Sequence, residues 1–175
     1  EGIYQKSVIA IFGDHGSFTD ISSALGPSAS ATLASLSNSR VPLILLSPKL
    51  NALARGTVST PGSHIDLFPT VANLLGITVP QSALGQDLLN TKTPLAVHRD
   101  PYSGAILTIL TPTKAYENGG DGVFGSGSCI TMPAETALPL SDCQALYDQQ
   151  SAKVRASDLV ITGNLLAHVA LATAP

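Results

Sequence analysis

The sequence predicts an α/β fold: a mixed, largely parallel sheet flanked by helices, with a hairpin and further helices towards the C-terminus. Two apolar runs, Ser7–Phe12 and Val41–Ser47, lack the alternation of a half-buried strand and are typical of strands covered on both faces. Roughly thirty residues separate the two runs, which favours βαβ-type connections and hence a largely parallel or mixed sheet.

Composition limits the function classes. The 175 residues are 44% apolar and 12% charged, which indicates an ordered chain with much buried surface. The net charge of -3 comes without basic clusters or interleaved aromatic residues, so nucleic acid is excluded as a partner. No window approaches the roughly 20 apolar residues of a membrane span. The first residue is Glu1, and we interpret the chain as an excised segment that reaches a membrane only through upstream parts.

One helix has clear boundary signals. In Asp66–Leu75, Asp66 can cap the N-terminus, Pro69 lies in the first turn and Gly76 follows as a stop. One buried stripe is expected from four residues at helical spacing: Leu67, Val71, Leu74 and Leu75. By contrast, Asp20–Ser39 contains a Gly-Pro pair and is predicted to hold only short or broken helix.

The C-terminal half has weaker signals. Leu95–Arg99 and Ala105–Thr111 flank a DPYSG turn and predict an antiparallel hairpin. The glycine-rich stretch Asn118–Ser128 lacks the context of a phosphate-binding loop and is interpreted as a surface loop. Two helices are predicted, Ser141–Gln150 and Ser157–Leu171.

Asp14 and His15 are the residues best suited to chemistry. They follow the first apolar run directly, within GDHG, and ligands of open α/β sheets bind beyond the carboxyl ends of strands. A carboxylate and an imidazole suit Zn²⁺, Mn²⁺ or a similar divalent ion. Two ligands are too few for a catalytic site, so further ligands must come from elsewhere. A purely structural Asp-His pair is the alternative.

The two cysteines, Cys129 and Cys143, are not in a C-x-x-C arrangement, which makes a thiolate metal site improbable. A disulfide is the favoured interpretation, and a loop of this length would stabilise the fold by about 3 kcal/mol in an oxidising compartment. Two unpaired, partly buried cysteines are the alternative.

Four motifs follow one another along the chain, and their order is informative: GDHG, then Arg40-Val41-Pro42, then HIDLFPT at 64–70, then LGQDLL at 84–89. Together they resemble the C-terminal part of the sulfatase-like catalytic domain of the alkaline phosphatase superfamily, over about residues 3–90. A histidine after the aspartate, and the phrases GIYQKSVIAIFGDHG and LGQDLL, look most like the lipoteichoic acid synthase and phosphoglycerol transferase branch.

This resemblance implies that residues 1–92 carry part of an alkaline-phosphatase-like catalytic core and that 93–175 complete the same domain. Asp14 and His15 would be metal ligands, with Mn²⁺ the expected ion and Mg²⁺, Ca²⁺ or Zn²⁺ possible. The nucleophile and remaining ligands would lie upstream, in the missing N-terminal part of the domain. The implied substrate is a phospholipid or glycan phosphodiester, attacked through a covalent phospho-enzyme on the outer side of a bacterial inner membrane or in the periplasm.

Two further residues are weaker candidates for substrate binding. Arg40 could meet an anionic substrate, although an arginine at a strand edge more often pairs with a carboxylate. His64 precedes the family helix and could approach the site, although a structural role is favoured.

Two other functions stay open: a true sulfatase with an upstream formylglycine, and a non-catalytic module that keeps the fold for binding. No G-x-S-x-G motif is present, so the hydrolase elbow is not an alternative.

Overall fold

A computed structural model describes residues 2–16, 36, 38–48, 50, 56–80 and 83–165. The chain forms two compact units, Glu1–Thr57 and Val58–Pro175. Most of the segment predicted to hold broken helix, Asp20–Ser39, lies outside the described residues, as does the end of the helix predicted to reach Leu171. No helix in the described ranges is long and apolar enough to cross a membrane.

The first unit contains a short 3₁₀ helix, Ile3–Lys6, and two strands, β1 (Ile9–Phe12) and β2 (Leu43–Leu46). The strands coincide with the two apolar runs of the sequence. They pair antiparallel, with Phe12 opposite Leu43. The carboxyl end of β1 therefore lies beside the start of β2, which places GDHG next to the Arg40-Val41-Pro42 segment.

The α/β class is confirmed, but the expected strand direction is wrong for the strands described, all of which pair antiparallel. An apolar run reports burial and carries no information on direction, and a separation of about thirty residues also permits an antiparallel return. Burial on both faces is not found either. Ile11 and Phe12 of β1 are 52% and 45% exposed, and Ile44 of β2 is 48% exposed.

The second unit is built on a five-stranded antiparallel meander in which each strand pairs with the next. Its strands are β3 (Ala96–Arg99), β4 (Ile106–Leu110), β5 (Lys114–Glu117), β6 (Ser128–Thr131) and β7 (Ala137–Leu138). Two helices accompany it, α1 (Leu67–Leu75) and α2 (Gln144–Thr162). Short 3₁₀ turns occur at His64–Asp66, Phe124–Ser126 and Leu140–Cys143.

The core of the second unit lies between the sheet and α2. Its centre is Tyr116 of β5, which is fully buried. The Tyr116 ring stacks on Phe124 with centroids 5.3 Å apart and meets Tyr147 of α2 edge-on at 5.1 Å. Aromatic pairs in these geometries add to the stability from area burial alone. This cluster fixes the helix against the sheet.

The predicted hairpin is confirmed as β3 and β4, joined by a turn in which Asp100 accepts bonds from the backbone amides of Tyr102 and Ser103. The prediction of two C-terminal helices is wrong, because α2 runs without a break from Gln144 to Thr162. The residues between the two predicted helices include neither glycine nor proline, so the helix has no reason to stop.

Helix α1 ends as predicted, with Gly76 in the left-handed conformation at φ 72°. The predicted apolar stripe is only partly buried. Leu74 is 7% exposed, but Leu75 is 52% exposed, and the other buried positions of the helix are Pro69, Thr70 and Ala72. The buried face is thus rotated away from the one that leucine spacing indicated.

The structure divides the chain after Thr57, whereas the resemblance suggested residue 92 as the junction between two parts of one domain. Hydrogen bonds connect the segments around HIDLFPT and LGQDLL to the start of the β3–β4 hairpin, which explains why they lie in the same unit. The backbone N–H of Val97 in β3 donates to Ser63 Oγ (3.4 Å), and the side-chain amide of Gln86 donates to the carbonyl of Leu95 (2.9 Å).

Candidate metal-binding loop and its supports

Asp14 and His15 lie in the bend that follows β1, and both are exposed. The side chain of Asp14 is 88% accessible and that of His15 is 55% accessible. His15 Nε2 is 3.7 Å from Asp14 Oδ1. The two side chains therefore face the same space and can approach one ion together.

The tautomer of His15 follows from its other ring nitrogen. Nδ1 lies 2.8 Å from the carbonyl oxygen of Gly16, which can only accept a hydrogen bond. In the neutral ring Nδ1 therefore carries the proton, and Nε2 keeps the lone pair that a metal needs. Metal-bound histidines commonly donate their second N–H to a carbonyl in this way.

The glycines on either side of the pair are closely packed, and at Gly16 no side chain fits. A Cβ at Gly13 would lie 3.0 Å from Val41 Cβ, and a Cβ at Gly16 would clash with the backbone carbonyl of Asn38. The amide of Gly13 donates to the carbonyl of Pro42 at 3.1 Å. The segment before β2 thus lies against GDHG along its length and fixes the loop that bears both donors.

The donor set fits a divalent ion. Two ligand atoms each about 2.1 Å from one ion lie roughly 3.0–3.4 Å apart at right-angled or tetrahedral geometry. The observed 3.7 Å is slightly longer, and a small rotation of the exposed Asp14 side chain would close the difference. Within the described ranges, no group of three or more His, Cys, Asp or Glu side chains is placed to hold a metal. Asp14 and His15 would therefore form an incomplete ligand set.

Arg40 is exposed two residues before Pro42 and forms no ion pair with a described residue. The expected carboxylate partner is therefore not found in the described part of the chain. His64 is exposed in the 3₁₀ turn of the second unit, whereas Asp14 and His15 belong to the first. Their roles in substrate binding stay predictions.

Asp66 is the buried carboxylate of the second unit, at 2% exposure. Its side chain does not cap α1 as expected. Oδ2 accepts the backbone N–H of Ser63 at 2.7 Å, and Oδ1 accepts the backbone N–H of Gln86 at 2.8 Å. Burial raises the pKa of Asp66, while the bonds from Gln86 and Ser63 lower it, and burial is the larger effect. Asp66 therefore forms a capping box with Ser63 at the 3₁₀ turn before α1, and it also ties this turn to Gln86.

Sequence reasoning did not single out Ser63 or Gln86, although these residues position Asp66. A capping-box pattern, Ser63 with Asp66 three residues later, was the available signal for the first. The second had no local signal, because Gln86 is twenty residues away in the chain.

Cys129 of β6 and Cys143 at the start of α2 form a disulfide, the pairing that the sequence favoured. The S–S distance is 2.04 Å and the Cα atoms are 5.9 Å apart. Both residues are buried in the core, at 3% and 0% exposure. The bond ties the end of the sheet to the helix that covers it.

Comparison with known proteins found similarity to sulfatases and to a lipoteichoic acid synthase-like protein. A family model described as Sulfatase matches residues 1–77. The chain is 26% identical to the lipoteichoic acid synthase-like protein YvgJ of Bacillus subtilis (strain 168) over 174 residues, which is 95% of this chain and 26% of that protein. It is 43% identical to the uncharacterized sulfatase YidJ of Escherichia coli (strain K12) over 58 residues, 33% of this chain and 11% of that protein. The search of solved structures found no significant match.

Residues 1–77 therefore resemble the sulfatase family, and the comparisons are consistent with the sulfatase and alkaline phosphatase superfamily. The similarity to a lipoteichoic acid synthase-like protein extends over nearly the whole chain and confirms the expected branch. The chain spans about a quarter of the length of that relative and about a tenth of the second.

Proposed function

We propose that this chain is part of a metal-dependent enzyme that transfers or hydrolyses phosphodiesters of the phosphoglycerol or phosphoethanolamine type outside the cytoplasm. The observation that carries the proposal is the loop after β1. There the Nε2 of an imidazole and an oxygen of a carboxylate stand 3.7 Å apart, the imidazole Nδ1 faces the Gly16 carbonyl, and close packing holds the backbone in place.

In this proposal Asp14 and His15 are two ligands of a divalent ion, with Mn²⁺ expected. The bound ion would stabilise negative charge on the transferring phosphoryl group. Asp14 neutralises part of the ion's charge, while the bond to the Gly16 carbonyl holds the His15 ring in the ligating tautomer. The nucleophile and the remaining ligands lie outside this chain, and a covalent phospho-enzyme forms on that nucleophile.

Two observations support an extracytoplasmic, bacterial setting. The buried disulfide between Cys129 and Cys143 is of the kind that persists in oxidising compartments. The relative with the more extensive match is a Bacillus subtilis protein described as lipoteichoic acid synthase-like. The disulfide supports an oxidising, extracytoplasmic location, and the relative supports a bacterial setting.

A sulfuric ester hydrolase is the second candidate. The matched family is described as Sulfatase, and the relative with the higher identity carries that name. Sulfate and phosphate esters present similar oxygens to a metal, so Asp14 and His15 serve either substrate. A non-catalytic binding module is the third candidate, and the preserved donor pair argues against it.

The test is turnover by the whole protein that carries this chain. Hydrolysis of a chromogenic phosphodiester and a chromogenic sulfate ester is measured with and without Mn²⁺, in the wild type, in Asp14→Asn and in Asp148→Asn. Asp148 is an exposed carboxylate of α2 bonded to Gln144, which makes it a matched control.

The proposal expects Mn²⁺-dependent phosphodiester turnover that Asp14→Asn removes and Asp148→Asn keeps. Turnover of the sulfate ester alone would assign the protein to the sulfatases. Absence of turnover on both substrates, together with absence of bound metal, would favour the non-catalytic module.

A further inference from the structure

The glycine-rich loop between β5 and β6 contains the one Asn-Gly pair of the sequence, Asn118-Gly119. Glycine after asparagine favours deamidation, because no side chain hinders attack of the glycine nitrogen on the asparagine side chain. We propose that Asn118 is a deamidation site that the folded loop keeps unreactive, and that opening of the loop makes it reactive. This modification is independent of the proposed function, since it involves neither metal nor substrate.

The reaction needs only water as a co-reactant. The backbone nitrogen of Gly119 gives up its proton and forms a bond to Cγ of Asn118. The bond between Cγ and Nδ2 breaks, and ammonia leaves with that proton. Water then adds to one of the two carbonyl carbons of the cyclic imide and opens the ring, which leaves either an aspartate or an isoaspartate. One side-chain amide is thereby converted into one carboxylate, without oxidation or reduction.

The side-chain amide of Asn118 is fully hydrogen-bonded in the folded loop. Its Nδ2 donates to the carbonyl of Val123 at 2.9 Å and to the hydroxyl of Tyr116 at 3.2 Å. Its Oδ1 accepts the backbone N–H groups of Gly120 at 2.8 Å and of Gly122 at 2.9 Å. A primary amide offers two donors and two lone pairs, so every position is in use. Formation of the imide turns this side chain and breaks several of these bonds.

The surroundings of the pair are also fixed. Tyr116 is fully buried, and its hydroxyl donates to the carbonyl of Phe124 at 3.2 Å. Gly119 lies against Ser126, whose carbonyl oxygen would be 2.6 Å from a Cβ added at the glycine. The reactive pair is thus held by the aromatic core of the second unit. Its rate of deamidation should follow the fraction of time that the loop is open.

The product would not fit the folded loop. A carboxylate oxygen in the place of Nδ2 would lie beside the Val123 carbonyl, so that two acceptors would replace a hydrogen bond. The Tyr116 hydroxyl would lose the N–H group that it accepts. An isoaspartate would also add one carbon to the main chain. Opening of the loop therefore promotes the reaction, and the reaction in turn favours the open loop.

The test measures deamidation in the whole protein, incubated in mildly alkaline water labelled with heavy oxygen, either native or in guanidinium chloride. Mass spectrometry follows the peptide that carries Asn118, and the incorporated label marks hydrolysis of the imide. Tyr116→Phe removes one hydrogen-bond acceptor of the amide and keeps the ring. Tyr147→Phe is the matched control, because its hydroxyl belongs to the same aromatic cluster but takes no part in the four hydrogen bonds of the amide.

We expect deamidation at least about tenfold faster in guanidinium chloride than in the native protein. In native protein, Tyr116→Phe should raise the rate by about threefold, and Tyr147→Phe should raise it less. Equal rates in native and unfolded protein would overturn the proposal, because the fold would then give no protection. Absence of labelled product in guanidinium chloride would overturn it as well, and so would equal rates in the two tyrosine variants.

A second measurement tests the effect of the product. Asn118→Asp imitates the deamidated side chain, and Asn73→Asp makes the same charge change at an exposed position of α1. Asn118→Asp should unfold at a clearly lower urea concentration than the wild type, and Asn73→Asp should change the midpoint less. Equal midpoints for the two variants would contradict the inference that deamidation favours the open loop.

Discussion

The carboxylate of Asp66 accepts a hydrogen bond from the backbone N–H of Gln86, 2.8 Å away and twenty residues further along the chain. The same helix start makes a second bond of this kind, in which Thr70 Oγ1 accepts the N–H of Leu88 at 3.0 Å. Thr70 in turn donates to the Asp66 carbonyl at 2.6 Å. HIDLFPT and LGQDLL are therefore two sides of one hydrogen-bonded junction, which accounts for their occurrence in the same sequence.

Asp66→Asn should destabilise the second unit. An amide keeps one acceptor oxygen but presents an NH₂ group to the other backbone donor, so either Ser63 or Gln86 loses its buried partner. We expect a loss of about 1–3 kcal/mol in the free energy of unfolding. Urea unfolding followed by circular dichroism measures it, with Asp148→Asn as the control. If Asp66→Asn unfolded at the same urea concentration as the wild type, the hydrogen bonds of Asp66 would not stabilise the second unit.

The pH dependence of Asp66 has a definite sign. Burial raises its pKa above the ordinary value of 3.8, to which the unfolded chain returns. As pH rises, the carboxyl group loses its proton in the unfolded state before it does so in the folded state. The stability that Asp66 contributes is therefore fully present below pH 3.8. It decreases as pH rises through the raised pKa of the folded state. The stability margin of the wild type over Asp66→Asn should therefore narrow with rising pH in urea titrations. A widening margin would contradict the account.

Asp100 should behave in the opposite way. Backbone bonds from Ser103 and Tyr102 lower its pKa below 3.8, so its contribution is present above that pH and is lost as pH falls through the lowered pKa. The wild type and Asp100→Asn should converge in stability on acidification. If their difference instead grew at low pH, the turn geometry of the β3–β4 hairpin would be wrong.

Local signals with a steric cause were predictable from the sequence. Gly76 stops α1 because the helix ends there in a left-handed conformation at φ 72°, which glycine adopts without strain. The β3–β4 hairpin was visible because a turn sequence separates two apolar runs. Strands β5 and β6 were missed, since each is four residues long and places only two residues in the core. Such strands are stabilised by packing around Tyr116, and this packing cannot be predicted from the local sequence.

Long-range arrangements were not predictable. The direction of β1 and β2 depends on how the chain returns between them, and their apolar composition is the same for either direction.

Loss of the disulfide should weaken the second unit. A double substitution, Cys129→Ala with Cys143→Ala, frees a closed loop of sequence separation 14 and should lower the free energy of unfolding by about 3 kcal/mol. Thermal unfolding with and without reductant measures the effect. Reductant should lower the midpoint of the wild type and leave that of the double variant unchanged. Equal midpoints for both proteins under oxidising conditions would contradict the prediction.

Gly16→Ala should disturb the proposed metal-binding loop without changing Asp14 or His15. The added methyl group would clash with the backbone of Asn38, and relieving the clash shifts the loop that carries His15. We expect a loss of about 1–3 kcal/mol in stability and a weaker affinity for Mn²⁺, measured by unfolding and by metal titration. Gly125→Ala is the control, because nothing lies within 4 Å of its added Cβ. If Gly16→Ala and Gly125→Ala had the same stability and the same affinity for Mn²⁺, close packing at Gly16 would not matter for the loop.

Metal content shows most directly whether Asp14 and His15 bind a divalent ion. It is measured by elemental analysis of the whole protein after dialysis against Mn²⁺, in the wild type, Asp14→Asn, His15→Gln and Asp148→Asn. We expect stoichiometric metal in the wild type and in Asp148→Asn, and a severe loss in both loop variants. Retention of the same metal by Asp14→Asn and His15→Gln would show that this loop is not the metal site.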